Sequence, residues 1–274
     1  MPREVGLEAH EFEALGTSCS VFCVGAPHPR LVEAEHWVRS MGARLTRFSE
    51  QSEVGRLNAA AGRWCAIGPQ LESLLGESLR AYEMSGGLVN VAVLPSMLAI
   101  GYARPLSEGR PVAAATVEAR PAPALPAVLS IRPGSARLEA GAGIDLGGIA
   151  KGWMADRLVE LLGPNSLANL GGDLMSVGAG PHGDGWPVSL AGTTLLLHDQ
   201  GAATSSVRRR RWCGVHHLID PRTGLPSGAG LEEVSVVAAS GLEAEIVAKT
   251  ALLIGPELAP AYCASHALAW WLSP

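Results

Sequence analysis

Several short stretches of this 274-residue chain set ionisable side chains beside glycine or proline, where a backbone turn can hold them against a ligand. In His216-His217-Leu218-Ile219-Asp220-Pro221-Arg222-Thr223-Gly224, imidazole, carboxylate and guanidinium fall within a few residues at the end of an expected strand. A histidine titrating near neutral pH suits removal of a proton from a hydroxyl. The same run also reads as a plain turn in which Asp220 bonds its own backbone, which for an isolated DPRTG is the commoner outcome. Asp145-Leu146-Gly147-Gly148-Ile149-Ala150-Lys151-Gly152 joins an apolar strand to a helix through two glycines. Such a turn lets the backbone approach a phosphate at a helix N-terminus. It reads equally as a tight connection with Asp145 near the cap and Lys151 in solvent. No Gly-Lys-Ser/Thr closes it, so it is not a P-loop.

Three further features carry weaker signals. Asn169-Leu170-Gly171-Gly172-Asp173 interrupts an apolar strand, and taken alone its paired glycines mark a bulge or a close backbone approach. The basic run Arg208 to Arg211 fits a solvated hairpin better than a phosphate clamp, because runs of charge are usually surface features. Glu245 and Lys249 stand i, i+4 on an expected helix, the spacing of an ordinary surface ion pair.

Composition narrows the classes. A hydrophobic content of 47% and a mean hydropathy of +0.20 allow a substantial core without disulfides or metals. The net charge of −5 gives no global attraction for nucleic acid, so an anionic ligand must be met locally. The 5 cysteines, Cys19, Cys23, Cys65, Cys213 and Cys263, form no CxxC pair, which argues against a zinc site or a disulfide framework. Met1 to Leu7 has neither a basic nor an apolar leader region. No charge-free apolar run reaches the roughly 18 residues of a membrane span. A cytoplasmic protein without a membrane span is expected. An oligomer is compatible with this composition, though no face is selected.

The elements that must position these residues follow from periodicity. A strand over Glu11 to Gly25, broken at Gly16-Thr17, precedes a helix from about Leu31 to Phe48 with apolar residues at Leu31, Ala34, Val38, Met41 and Leu45. This strand-then-helix opening suggests α/β layering. A second helix spans Pro69 to Met84, ended by Ser85-Gly86-Gly87, and a buried stretch runs from Leu88 to Ile100. The Pro- and Ala-rich region from Arg110 to Ala140 carries a short helix at Ala113 to Ala119 and a strand at Ala127 to Arg132, with a variable connection over 105–126. Helix Ile149 to Leu162, strand Ser166 to Val177, further strands through Leu197, strand Glu233 to Ala239 and helix Glu243 to Ile254 complete the chain. No repeat or long linker divides it.

In this order, the segments resemble the ApbE family of flavin transferases along nearly the whole chain. The matching stretches are Ala14-Leu15-Gly16-Thr17, Arg47-Phe48-Ser49 through Ser52-Glu53-Val54 to Arg56-Leu57-Asn58, and Ser85-Gly86-Gly87 through Val93-Leu94-Pro95 to Gly101-Tyr102. The glycine turn at Asp145 to Gly152, Asn169 to Asp173, Ala203-Thr204-Ser205 and His217 to Gly224 continue the match. The resemblance implies an α+β or α/β fold, ApbE-like and T-fold-related, in which mixed sheets and helices pack as one unit over 1–274. It implies an FAD:protein FMN transferase that uses Mg²⁺ on the FAD pyrophosphate. The enzyme would move FMN to a threonine of an acceptor flavoprotein and release AMP. Leu15, Ile100, Gly101, Tyr102, Asp145, Lys151 and Ile219 fall on the family's FAD contacts. His217 falls on the histidine that helps deprotonate the threonine, with Asp220 following it. The Gly148 carbonyl and Glu245 fall on metal contacts. The chain departs from the family at Lys249, where a threonine ligand is usual, at Glu245 and Asn90, where aspartate is usual, and at Ser206, where glycine is usual. Lysine is no oxygen ligand for a metal, but its ammonium can neutralise a pyrophosphate as a point charge. A flavin-binding protein without catalysis and an FAD pyrophosphatase are the alternative functions.

Overall fold

The computed structural model describes residues 6–109, 120–208 and 210–274. Its main sheet has seven strands: β1 (Leu7–Ala14), β2 (Thr17–Val24), β3 (Ser166–Leu170), β4 (Leu174–Val177), β5 (Gln200–Ser206), β6 (Glu233–Ala238) and β7 (Ala269–Ser273). They neighbour one another in chain order, and every pairing is antiparallel. The chain is therefore α+β, not the α/β layering suggested by its opening. Helical insertions here return the chain to an antiparallel neighbour, so no parallel crossover is made.

Two stretches that read as interrupted single strands are hairpins. The Glu11 to Gly25 stretch is β1 and β2, turned at Leu15 (φ 56°) and Gly16 (φ 70°). The Ser166 to Val177 stretch is β3 and β4. Its paired glycines form the turn instead of a bulge, with φ 74° at Gly171 and 101° at Gly172, positions that favour glycine. A side chain at Gly171 would overlap that of Thr17, so the two hairpin turns lie side by side.

The principal helices are α1 (His28–Leu45), α2 (Pro69–Met84), α3 (Ala150–Leu162) and α4 (Gly241–Ile254). The five periodic residues of α1 are its buried ones. This helix stops at Leu45 instead of Phe48 because Thr46 is extended (φ −69°, ψ 142°), which frees Arg47 and Phe48 to reach away from it. Helix α4 starts two residues earlier than expected, where the Ser240 hydroxyl accepts the Glu243 N–H at 3.1 Å. The stretch 88–100 holds a 3₁₀ turn, Val91–Val93, and a short helix, Leu94–Ala99. The strand expected from Ala127 begins at Leu129, because Leu125–Val128 makes a helical turn opened by Pro126. The helix expected at Ala113 to Ala119 lies outside the described residues.

Alternation along the central strands covers both sheet faces. Ala203, Val234, Val236 and Ala238 pack on Ala244, Val247, Ala248 and Ala251 of α4. Ala202 and Val237 point the other way, onto Trp186, Val188, Leu190 and Leu197 of a hairpin laid across the sheet.

Helix α3 packs against both α1 and α4. Its approach to α4 depends on glycine: a Cβ at Gly152 would lie 2.5 Å from the Gly241 carbonyl oxygen. At this crossing each helix caps the other. Asp156 of α3 accepts the N–H groups of Gly241 (2.7 Å) and Leu242 (3.1 Å) at the start of α4. Glu245 of α4 accepts the Gly152 N–H (2.9 Å) in the first turn of α3. Donors that a helix start leaves unsatisfied are thus met by carboxylates from the neighbouring helix.

Candidate functional site

The crossing of α3 and α4 brings the 145–152 turn beside Glu245 and Lys249. Asp145 is fixed on both sides: one carboxylate oxygen accepts the Gly147 N–H at 2.7 Å, and the other pairs with Arg47. The Arg47 side chain is only 3% exposed. It donates to the Tyr102 carbonyl at 2.6 Å and lies 4.1 Å and 4.7 Å from the ring centres of Phe48 and Tyr102. The freed end of α1 is thereby tied to both the glycine turn and the 100–102 segment.

Glu245 and Lys249 do not form the surface pair that their spacing suggested. Glu245 is buried, with one oxygen on the Gly152 N–H and the other 4.0 Å from the Lys151 ammonium. The Lys249 ammonium instead donates to the Gly148 carbonyl. A Cβ at Gly148 would overlap that ammonium, so the turn is shaped around it. Lys151 is not in solvent. It pairs with Asp173, carried by the β3–β4 turn. Burial pushes the Lys151 ammonium down to about 8, against the opposing pull of Glu245. Burial likewise lowers Lys249, while Glu245 and Asp145 act against the shift and Arg210 adds to it.

His217 faces this group. Its Nδ1 is out of solvent and has no hydrogen-bond partner among the described residues. Burial, followed by the charges of Arg210, Lys249, His216 and Lys151, holds its imidazole well below the ordinary 6.5. The result is a neutral histidine whose Nδ1 is unpartnered among the described residues, with Lys151, Arg210 and Lys249 as charge neighbours. Asp220 is not its partner. The Asp220 carboxylate is gripped by Arg222 at 2.7–3.2 Å and accepts the Arg222 N–H at 2.9 Å. Burial raises that carboxyl, and Arg222 more than offsets the effect, leaving it below its ordinary value. With the Gly224 N–H on the Asp220 carbonyl at 2.8 Å, Asp220 anchors the turn behind His217. His216 is also occupied, its Nε2 bonding the Ser227 carbonyl at 2.9 Å.

Ile100, Tyr102 and Ile219 converge in one apolar cluster with Met97 and Trp212. Trp212 was not singled out from the sequence. Its indole N–H donates to the Ile100 carbonyl at 3.0 Å, and its ring centre lies 5.3 Å from that of Tyr102. A lone tryptophan after a basic run carries no periodic signal to reveal this role. Leu15 lies at the β1–β2 turn, where its side chain packs towards Gly42 of α1. Arg208 pairs at the surface with Glu232, as a solvated run would, whereas Arg210 is a charge neighbour of His217, Lys151 and Lys249. Asn90 bridges loops through the Pro123 carbonyl at 2.9 Å and the Ala92 N–H at 2.9 Å. The Ser206 hydroxyl accepts the Arg208 N–H at 3.2 Å.

These residues do not fit a magnesium ion. Mg²⁺ needs near-octahedral oxygen ligands at about 2.0–2.1 Å. Here the Gly148 carbonyl receives an ammonium, Glu245 is committed to Gly152 and Lys151, and the Thr250 hydroxyl donates to the Ile246 carbonyl at 2.8 Å. Among the described residues, no group of three or more His, Cys, Asp or Glu is placed to hold a metal.

Comparison with known proteins gives these observations a family. The chain is 28% identical over 265 residues to an FAD:protein FMN transferase of Treponema pallidum, covering 84% of this chain and 72% of that one. It is 23% identical over 277 residues to one from Haemophilus influenzae, covering 88% of this chain and 77% of that one. The fold matches the Pseudomonas stutzeri flavinyl transferase ApbE, apo form, with a TM-score of 0.82 at 23% identity, covering 98% of this chain and 93% of that one. It also matches the ApbE protein of Thermotoga maritima with a TM-score of 0.81 at 19% identity, covering 97% and 94%. The sequence profile of the ApbE family matches residues 15–271, and the chain belongs to that family.

Proposed function

We propose that this protein cleaves FAD between its two phosphates and transfers FMN to a threonine hydroxyl of an acceptor flavoprotein, releasing AMP. The observation that carries this reading is His217, a neutral imidazole whose buried Nδ1 has no partner among the described residues and whose charge neighbours are cationic. A base in that setting removes a proton from a neutral alcohol without becoming a permanent charge in the resting site. The threonine oxygen bonds to the FMN phosphorus, and the bond from that phosphorus to the bridging oxygen breaks. AMP leaves with the bridging oxygen and its electron pair, and the hydroxyl proton passes to His217.

Lys151, Arg210 and Lys249 supply positive charge where the phosphates and the developing negative charge must lie. The wall formed by Ile100, Tyr102, Trp212 and Ile219 suits a flat, largely apolar ring system. Leu15, Gly101 and Asp145 complete the FAD contacts in this reading, Asp145 by holding the glycine turn and Arg47 in place. Asp220 acts as a positioning residue for the histidine turn. The names of the relatives support the same reaction. No magnesium step is included, because the oxygens that would bind it are already bonded. We take residues 1–274 to work as one unit, a reading supported by the family match over 15–271. A reducing, cytoplasmic setting suits the thiols of Cys19, Cys23, Cys65 and Cys263, which form no disulfide among the described residues. Among the described residues, no helix is long and apolar enough to cross a membrane.

The test is incubation of the purified protein with FAD and a threonine-bearing acceptor from the same genome, following AMP release and flavin covalently attached to the acceptor. The transferase reading expects both in equal amounts. AMP with an unlabelled acceptor identifies a pyrophosphatase, and bound FAD without AMP identifies a binding protein.

A further inference from the structure

Resting on the flavin-nucleotide reading above, we propose that Lys249 is a built-in counter-cation, so that this chain binds the FAD diphosphate without a divalent metal ion. The position of its charge is set by the backbone. The ammonium donates to the Gly148 carbonyl at the start of α3, on a turn with no room for a Cβ beside it. Such a bond fixes the cation and leaves its charge unneutralised, because a carbonyl carries no formal charge. Among the described residues, no carboxylate lies within ion-pair distance of Lys249. The nearby acids are otherwise engaged: Asp145 with Arg47, Asp173 with Lys151, and Glu245 with the Gly152 N–H and Lys151.

A second observation points to an anionic ligand at the same place. The buried Nδ1 of His217 has no partner among the described residues, and the charges acting on that ring are those of Arg210, Lys249, His216 and Lys151. An ammonium and a divalent cation cannot both occupy the face of the Gly148 carbonyl. Of the two, the protein carries the ammonium covalently, at a fixed stoichiometry and without a dissociation step.

The experiment is calorimetric titration of the full chain with FAD and, separately, with riboflavin, which has the ring system but no phosphate. Each titration is run in excess EDTA and again in millimolar MgCl2. The expected result is FAD affinity in EDTA within about twofold of that in magnesium. Lys249→Gln should weaken FAD binding by about tenfold or more in both buffers while leaving riboflavin binding within about twofold. Wild-type FAD binding that is lost in EDTA and restored by magnesium overturns the proposal, as does full FAD affinity in Lys249→Gln. If Lys249→Gln does not fold, the wild-type titrations decide the question alone. Absence of FAD binding in both buffers would instead remove the flavin-nucleotide reading on which the proposal rests.

Discussion

Replacing Gly152 with alanine tests whether the α3–α4 crossing sets the site. In an unconstrained helix, Gly→Ala stabilises by about 1 kcal/mol. Gly76 is the internal reference: it lies inside α2, is exposed, and a Cβ there meets nothing within 4 Å. At Gly152 the added carbon would stand 2.5 Å from the Gly241 carbonyl oxygen, 2.8 Å from its carbon and 2.9 Å from the Leu242 Cα. All three are backbone atoms, so no rotamer change relieves the contact. Ordinary contact begins near 3.4 Å, so the helices must part by roughly 0.9 Å. Overpacking of this kind costs about 1–3 kcal/mol. The separation also stretches the hydrogen bonds of Glu245 and Asp156, which as charge-assisted bonds contribute about 1.5–3 kcal/mol each. Partial loss of these bonds, set against the helix-propensity gain, gives a net destabilisation of about 2–4 kcal/mol for Gly152→Ala. Gly76→Ala should gain about 1 kcal/mol. Urea unfolding followed by circular dichroism measures both, and a Gly152→Ala variant as stable as wild type would refute the reasoning.

Other consequences follow from single contacts. His217→Asn should reduce FMN transfer by about 10²- to 10⁴-fold while FAD affinity changes little, as single-turnover labelling of the acceptor will measure. Because the folded-state value of His217 is depressed, its stabilising contribution is complete above pH 6.5 and is lost as the pH falls below that. The acid limb of the transfer profile should therefore lie well below pH 6.5, and a limb centred there would count against His217 as the base. Arg47→Met leaves Asp145 without its charge partner and should cost about 3–5 kcal/mol in a denaturant titration, and the double variant Arg47→Met/Asp145→Asn should cost less than the two single changes summed. Trp212→Phe removes the bond to the Ile100 carbonyl and should cost about 1 kcal/mol. Trp212→Ala opens the apolar wall and should weaken binding of both FAD and riboflavin.

Elements governed by local rules were legible in the sequence. The α1 periodicity named the five buried residues, and Pro69 with Ser85-Gly86-Gly87 bounded α2 at its observed ends. What escaped depends on partners distant in the chain. The paired glycines at 171–172 fit a bulge or a close backbone approach until β3 and β4 are seen to pair as a hairpin. The i, i+4 spacing of Glu245 and Lys249 is the same for a surface pair as for two buried groups that turn to different partners. Only the approach of α3, about 90 residues earlier in the chain, separates these outcomes. Trp212 and Arg210 escaped for the same reason, since the features that give them roles belong to the 100–102 segment and to α4.

The departures at 245 and 249 form a linked pair because Glu245 serves two neighbours. Its carboxylate must satisfy the Gly152 N–H at the start of α3 and also sits 4.0 Å from Lys151. A metal at the Gly148 carbonyl would compete for that same carboxylate and draw it away from the helix start. An ammonium on the following turn of α4 makes no such demand, because it binds the carbonyl and leaves the carboxylate in place. The helix-capping network and the local positive charge can then coexist without sharing a ligand. On this argument, Lys249→Thr should not recreate a magnesium site by itself, since Glu245 remains bonded to Gly152. A gain of magnesium-dependent FAD binding should need both positions changed, and such a gain in Lys249→Thr alone would show that Glu245 is free to leave the helix start.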